Sequence, residues 1–219
     1  MRNLFIYISV LFLFSCKSNT SNNTKTDNDS SYIKIKHAKN FNLIKKEGKY
    51  ILEILDPISG DLESTHTIDP LKKYEAISLS ATVVGMYAIL EQQTALKGIS
   101  SIDYVYDPTV KSLFKKKQIL EYGDETTNSI EKIISSKANT ILYSGFGDEF
   151  PNQKKLESLH FTIVPIYDWK EIDPLGKAEW IKFFGALYDL DEKASKIFNS
   201  IEIEYSSVLA LAKKAKTQP

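Results

Sequence analysis

The side chains that could do chemistry in this 219-residue chain are few, and their spacing sorts them. Cys16 is the single cysteine, so no disulfide can close within the chain. His37, His66 and His160 lie far apart, and the short His/Cys spacing of a zinc site is absent. His66 falls in a polar stretch and reads as a solvated side chain. There is no Gly-x-Ser-x-Gly elbow, P-loop or His-Glu-x-x-His run, so the expectation is a protein that is not an enzyme and holds no resident cofactor. Asp168, Glu171 and Asp173 cluster beside a strand end and read as a solvated acidic rim. What remains is a set of hydroxyls and aromatics at the ends of apolar segments: Ser80, Thr82, Tyr104, Tyr122, Ser144, Phe146, Tyr167 and Trp169. Aromatic rings give rigid contact area with little entropy to lose, which suits binding a large, partly apolar solute. For Tyr104, Tyr122 and Phe146 the competing reading is that they cover a sheet edge. Trp180 lies on a continuous apolar helix stripe and reads as core.

Charge and the first residues bound the partners. Lys+Arg and Asp+Glu are both 28, so the formal net charge is zero and nucleic acid is a poor partner. Residues 1–16 carry Arg2, then an apolar run too short to span a bilayer, and match a secretory signal. Leu13-Phe14-Ser15-Cys16 resembles a bacterial lipobox, with Phe14 bulkier than usual. The resemblance implies a diacylglycerol on the Cys16 thiol. A plain signal peptide, or a membrane helix with a chance cysteine, is the alternative. Several acyl chains hold a membrane far better than one, since each buried CH₂ adds about 0.8 kcal/mol. Residues 17–31 are polar and read as a flexible tether.

The elements that must position the candidate residues follow from periodicity. Phe41-Asn42-Leu43-Ile44 and 50–55 flank Lys46-Glu47-Gly48-Lys49, the pattern of a β-hairpin within an extension over 32–70. From residue 75 strands and helices alternate: strands at 75–79, 96–99, 119–122, 140–143 and 161–166, and helices over 83–92, 108–117, 128–138 and up to 159. Ser80 and Thr82 can cap the first of these helices. Alternation of this kind predicts an α/β lobe over 71–190, a parallel three-layer, Rossmann-like sheet with helices on both faces. A helix follows over 178–188. Asp191 then opens a long helix over 191–215, whose Ala194, Ile197, Phe198, Ile201, Tyr205, Val208 and Leu209 form one stripe.

Several stretches resemble one known family, the periplasmic binding proteins that deliver iron–siderophores, haem or vitamin B12 to ABC importers, in particular the lipoprotein versions of Bacteroidetes-type bacteria. Ile77-Ser78-Leu79-Ser80-Ala81-Thr82 resembles the first strand and its "Leu-Ser-x-Thr" turn. Gly98-Ile99-Ser100 with Asp103-Tyr104 resembles the second strand. Asn128-Ser129-Ile130-Glu131-Lys132-Ile133 with Ala138-Asn139-Thr140-Ile141-Leu142 resembles "Asn-Leu-Glu-x-Ile…Lys-Pro-Asp-Leu-Ile", with Ala138 and Asn139 departing from the usual Pro and Asp. The most specific match is Pro174-Leu175-Gly176-Lys177-Ala178-Glu179-Trp180-Ile181-Lys182-Phe183-Phe184-Gly185. The resemblance covers about residues 75–219. It implies a solute-binding lobe followed by a connector helix over 191–219, with a second lobe missing. It implies an iron chelate, haem or cobalamin as solute, ABC permease subunits as partners, and a lipid-anchored, periplasm-facing location. It implies that Glu131 docks on a permease arginine; the competing reading is a first-turn acid favoured by the helix dipole, and both can hold at once. A structural or interaction lipoprotein that no longer binds solute is the rival reading.

Overall fold

The computed structural model describes residues 30–125, 129–146 and 149–214; Cys16, the lipobox and most of the expected tether lie outside the described residues. Two sheets organise the chain. The first is antiparallel, in the order β1 (Ser30–Ile33), β2 (Phe41–Lys46), β3 (Lys49–Leu55) and β4 (Leu62–Ile68). Glu47 and Gly48 both take positive φ, the left-handed pair that a two-residue hairpin loop requires. Alternation sets its buried face: Phe41 and Leu43 on β2 with Tyr50, Leu52 and Ile54 on β3 all point inward. The expected hairpin is β2–β3, and β1 and β4 extend it into a four-stranded sheet. Its first strand begins at Ser30, inside the expected tether, and Glu63, Thr65 and Thr67 make β4 polar enough to pass for a loop.

The second sheet is parallel and arises from the predicted alternation: β5 (Ala76–Ser78), α1 (Ala81–Ile89), β6 (Leu96–Ile99), α2 (Pro108–Lys115), β7 (Leu120–Glu121), α3 (Ile130–Ile134), β8 (Thr140–Tyr143), α4 (Gln153–Ser158) and β9 (Thr162–Pro165). Its strand order is β7-β6-β5-β8-β9, all pairs parallel. The order reverses direction at β5, so β5 and β8 flank a topological switch point. Period-two alternation splits the core between the sheet's faces. Ile77, Ile141, Tyr143 and Ile163 pack toward Ile133 and Leu156 of α3 and α4. Ala76, Leu142 and Val164 pack toward α1 and toward two helices that follow, α5 (Pro174–Glu179) and α6 (Ile181–Leu187). Trp180 breaks what reads as one helix into these two and is fully buried against Phe41, 4.6 Å between ring centroids.

The chain closes on α7 (Asp191–Ala212). Gly185 lets it approach α6: a Cβ there would lie 2.5 Å from that of Ala194. Ala194 and Phe198 are buried, but Val208 and Leu209 of the expected stripe are exposed, along with Ile203 and Leu211. No helix among the described residues is long and apolar enough to cross a membrane.

A pair of buried glutamates joins the two sheets. The segment between β1 and β2 has no strand partner for its N–H groups. Those of Lys36, His37 and Ala38 donate to the Glu179 carboxylate at 2.7–3.0 Å, and those of Lys39 and Asn40 to Glu171. Lys182 Nζ donates to Glu179 at 2.6 Å, and Trp180 Nε1–H to Glu171 at 3.2 Å. Burial pushes the Glu179 carboxyl up, but Lys182 and the three N–H donors hold it below the ordinary carboxylate value. Glu171 is thus no solvated rim acid but a structural anchor, and Asp173 caps α5 by accepting from the Leu175 N–H.

Candidate functional site

In an open parallel sheet a ligand sits beyond the carboxyl ends of the strands, at the switch point. Here that edge is formed by Leu79-Ser80 after β5 and Ser144-Gly145 after β8, tied together where the Leu79 N–H donates to the Leu142 carbonyl at 2.8 Å. Ser78 is buried, and its hydroxyl donates to the Ser80 carbonyl. The Ser80 and Thr82 hydroxyls pair at 2.9 Å. Ser80 stands at the N-cap of α1, yet its side chain makes no capping bond; it is spent on Thr82, which lies inside the first turn. Thr82 itself is exposed.

The aromatic part of the site comes from the loops after β8 and β9. Trp169 Nε1–H donates to the Ser144 carbonyl at 2.7 Å, which fixes the indole across the strand tips. Phe146 stacks against it at 4.7 Å between centroids, tilted by 39°. Phe146 is 74% and Trp169 38% exposed, so the pair forms an open apolar platform. Lys170 Nζ lies 5.1 Å from the Trp169 ring and 5.0 Å from that of Tyr167. Gly145 takes φ +62°, and a Cβ there would meet the Tyr167 ring at 2.3 Å, so only glycine lets the two loops close on each other.

Carboxylates hold this edge in place. Glu125 accepts from the backbone N–H groups of Ser144 and Phe146, and Glu63 of β4 accepts from the Tyr167 hydroxyl at 2.9 Å. Burial raises the Tyr167 hydroxyl, and the bond to Glu63 raises it further. Burial likewise raises Tyr143, with Glu63, Glu125, Glu149 and Glu157 adding to it. Asp168 is 3% exposed, and its Oδ1 has no hydrogen-bond partner among the described residues. Burial pushes its carboxyl up, against the opposing pull of the Thr82 hydroxyl and the Trp169 N–H.

The structure therefore draws Ser80, Thr82, Ser144, Phe146, Tyr167 and Trp169 into one cluster. Tyr167 is buried beneath it rather than presented. Tyr104 is exposed in the 3-10 turn Ile102–Tyr104 after β6, with no bond or ring contact to the cluster among the described residues. Tyr122 does not join it: it is 4% exposed, packed where a Gly98 Cβ would fall 2.5 Å from its ring, with Lys132 Nζ 4.8 Å above. A two-residue β7 on the sheet's edge needs that ring as cover. Asp168 leaves the solvated rim for the interior. Glu63 and Glu125 went unmarked in the sequence, because a polar strand and a Gly-Asp turn carry no signal of what they face. Glu131 is exposed in the first turn of α3, and the Ser129 hydroxyl donating at 2.7 Å holds its carboxyl below the usual value. A separate cleft of about 540 Å³, lined by Thr94, Lys97, Leu113, Lys117 and Ser136, opens near the starts of β6 and β7 instead. Among the described residues no group of three or more His, Cys, Asp and Glu side chains could hold a metal ion.

No family model matches the chain. An uncharacterized lipoprotein of Methanocaldococcus jannaschii is 30% identical over 150 residues, covering 66% of this chain and 33% of that protein. Among solved structures, a possible iron-binding (periplasmic solute-binding) protein from Staphylococcus epidermidis superposes with a TM-score of 0.53 at 18% identity, over 67% of this chain and 55% of that one. A periplasmic binding protein from Veillonella parvula gives 0.55 at 15% identity, over 78% and 56%. The periplasmic heme binding protein HutB of Vibrio cholerae gives 0.51 at 12% identity, over 68% and 52%. These are likenesses of fold: the chain has the α/β architecture of periplasmic solute-binding proteins, and it spans a third of the lipoprotein and about half of each solved structure.

Proposed function

We propose that this chain is a solute-binding component of an ABC importer and captures an iron chelate, haem or cobalamin without transforming it. The observation that carries the reading is the exposed Trp169–Phe146 platform at the β5/β8 switch point, flanked by the Thr82 hydroxyl and braced from below by Tyr167. Exposed aromatic rings beside a hydroxyl give rigid contact area that suits a bulky, partly apolar solute. Proteins of this fold that bind iron or heme support the solute class, and a lipoprotein relative supports an envelope location facing the periplasm, with Cys16 as the lipid site. Glu131, exposed on α3, is the proposed contact for a permease arginine, where a carboxylate–guanidinium fork sets orientation.

Trp169 makes the test direct. Titrating ferric trihydroxamates, hemin and cobalamin while following tryptophan emission should give saturable quenching with at least one of them. Trp180 is buried, so Trp169→Phe reports how much of the quenching arises at the platform. A folded protein that responds to none of the three refutes the reading.

A further inference from the structure

The cleft of about 540 Å³ near the starts of β6 and β7 lies at the end of the sheet away from the aromatic platform. Its size falls within the range of small-molecule sites, about 300–1,000 Å³. The apolar wall comes from the edge of the sheet: Leu113 of α2 and Leu120 of β7 line it with Tyr122, whose ring packs on Gly98. Leu120 is 42% exposed on the outermost strand. The rim is cationic. Lys97, Lys117 and Lys137 line the cleft, and no Asp or Glu does. Lys97 is engaged, donating to the Thr94 carbonyl at 2.6 Å and lying 3.3 Å from Glu75. Lys117 and Lys137 are exposed and have no ion-pair partner among the described residues. Each follows a helix, α2 and α3 respectively, where a lysine often serves the terminal carbonyls. Here those carbonyls are already taken: Ser112, Leu113 and Phe114 accept from the N–H groups of 116–118, and Glu131 and Ile133 from those of Ser135 and Ser136. The chain as a whole is neutral, so two unpaired ammonium groups on one apolar cleft are a local excess.

We infer that this cleft binds a small amphiphilic anion, with a phosphate or carboxylate head at Lys117 and Lys137 and a short apolar body against Leu113, Leu120 and Tyr122. Ammonium groups meet such a head as point charges rather than as a planar fork, so the site selects for charge and apolar length and not for the shape of the acid. Gln118, which also lines the cleft, adds a side-chain amide donor. Exposed charges are screened over about 8 Å at physiological ionic strength, so binding weakens as salt is added.

The test titrates octyl phosphate, kept below its micelle concentration, into the full chain and follows backbone NMR shifts. Changes should centre on residues 94–97, 113, 117–122 and 135–137. Replacing both lysines, Lys117→Gln with Lys137→Gln, should weaken binding roughly tenfold, the worth of two exposed ion pairs. Both side chains are exposed, so the double variant keeps its fold. Methyl phosphate has the head without the body and should bind more weakly; octyltrimethylammonium reverses the charge and should leave these residues unmoved. Leu120→Asn tests the apolar wall separately: it should weaken octyl phosphate and leave methyl phosphate unchanged. Shifts scattered over surface lysines, shifts centred on 144–146 and 167–170, or an affinity indifferent to both variants overturn the inference. So does binding confined to phosphatidylglycerol vesicles, which would mark a membrane surface instead of a soluble ligand. The chelate titrations at the platform use different probes, so either result stands without the other.

Discussion

At the scale of single residues, Asp168 and Gly145 show what the site demands of the chain. A carboxyl raised by burial in the folded state favours folding below the unfolded carboxylate value and loses that contribution as pH rises through its folded value. Ionised Asp168 therefore weighs against folding at neutral pH. Asp168→Asn should raise the melting temperature at pH 7, and the gain should vanish in acid below the unfolded aspartate value. A variant less stable than the parent at pH 7 would mean the carboxylate is satisfied there. Gly145 stands at positive φ over the Tyr167 ring, and Gly145→Ala should destabilise by about 1–3 kcal/mol in denaturant titration. Trp169→Ala should weaken solute binding by more than about 1 kcal/mol, and Trp169→Phe, which keeps a ring beside Phe146, should weaken it less.

At the scale of elements, the glutamate clasp decides whether the antiparallel sheet belongs to the lobe. Glu179→Ala leaves three backbone N–H groups without an acceptor and the buried Lys182 ammonium with the Lys34 carbonyl but no counter-charge, and should cost about 3–5 kcal/mol in urea unfolding. A cost below about 1 kcal/mol would show that the clasp joins the sheets without holding them. The parallel strands were legible because both of their faces are buried: 96–99 and 140–143 read as apolar runs and form β6 and β8 as expected. The glutamates were not legible. Glu171 and Glu179 have the composition of a solvated surface, and only the strand-free segment at 34–40, which needs acceptors, explains their burial. The same limit applies to the site. Ser80, Thr82, Ser144, Phe146 and Trp169 could be placed because they follow strands at one edge of a parallel sheet. Tyr122 follows a strand too, but a two-residue edge strand needs its ring for cover, and no local pattern separates that use from ligand contact.

At the scale of the molecule, α7 is tied to the rest of the chain by ions as well as by Ala194 and Phe198. The Lys36 ammonium and the His37 ring both meet Glu202, at 2.8 and 2.9 Å, while the other His37 nitrogen lies 3.3 Å from Asp173. These contacts depress Glu202 to about 2, Lys36 first and His37 next. A depressed carboxylate stabilises above its unfolded value and loses that contribution as pH falls toward its folded value. Amide exchange in 34–40 and around residue 202 should therefore accelerate below the unfolded glutamate value, before the parallel sheet opens. Uniform acceleration across the chain would deny α7 a separate attachment. Both sheets, α1 and the aromatic loops converge at the β5/β8 switch point, through Glu63, Thr82, Ser144 and Trp169. Backbone NMR titration with a gallium trihydroxamate, the diamagnetic counterpart of the ferric complex, measures directly whether solute binds there. The account predicts shift changes confined to residues 80–82, 144–146 and 167–170; changes centred on the cleft around 94–97, 117–120 and 135–137, or none at all, would contradict it.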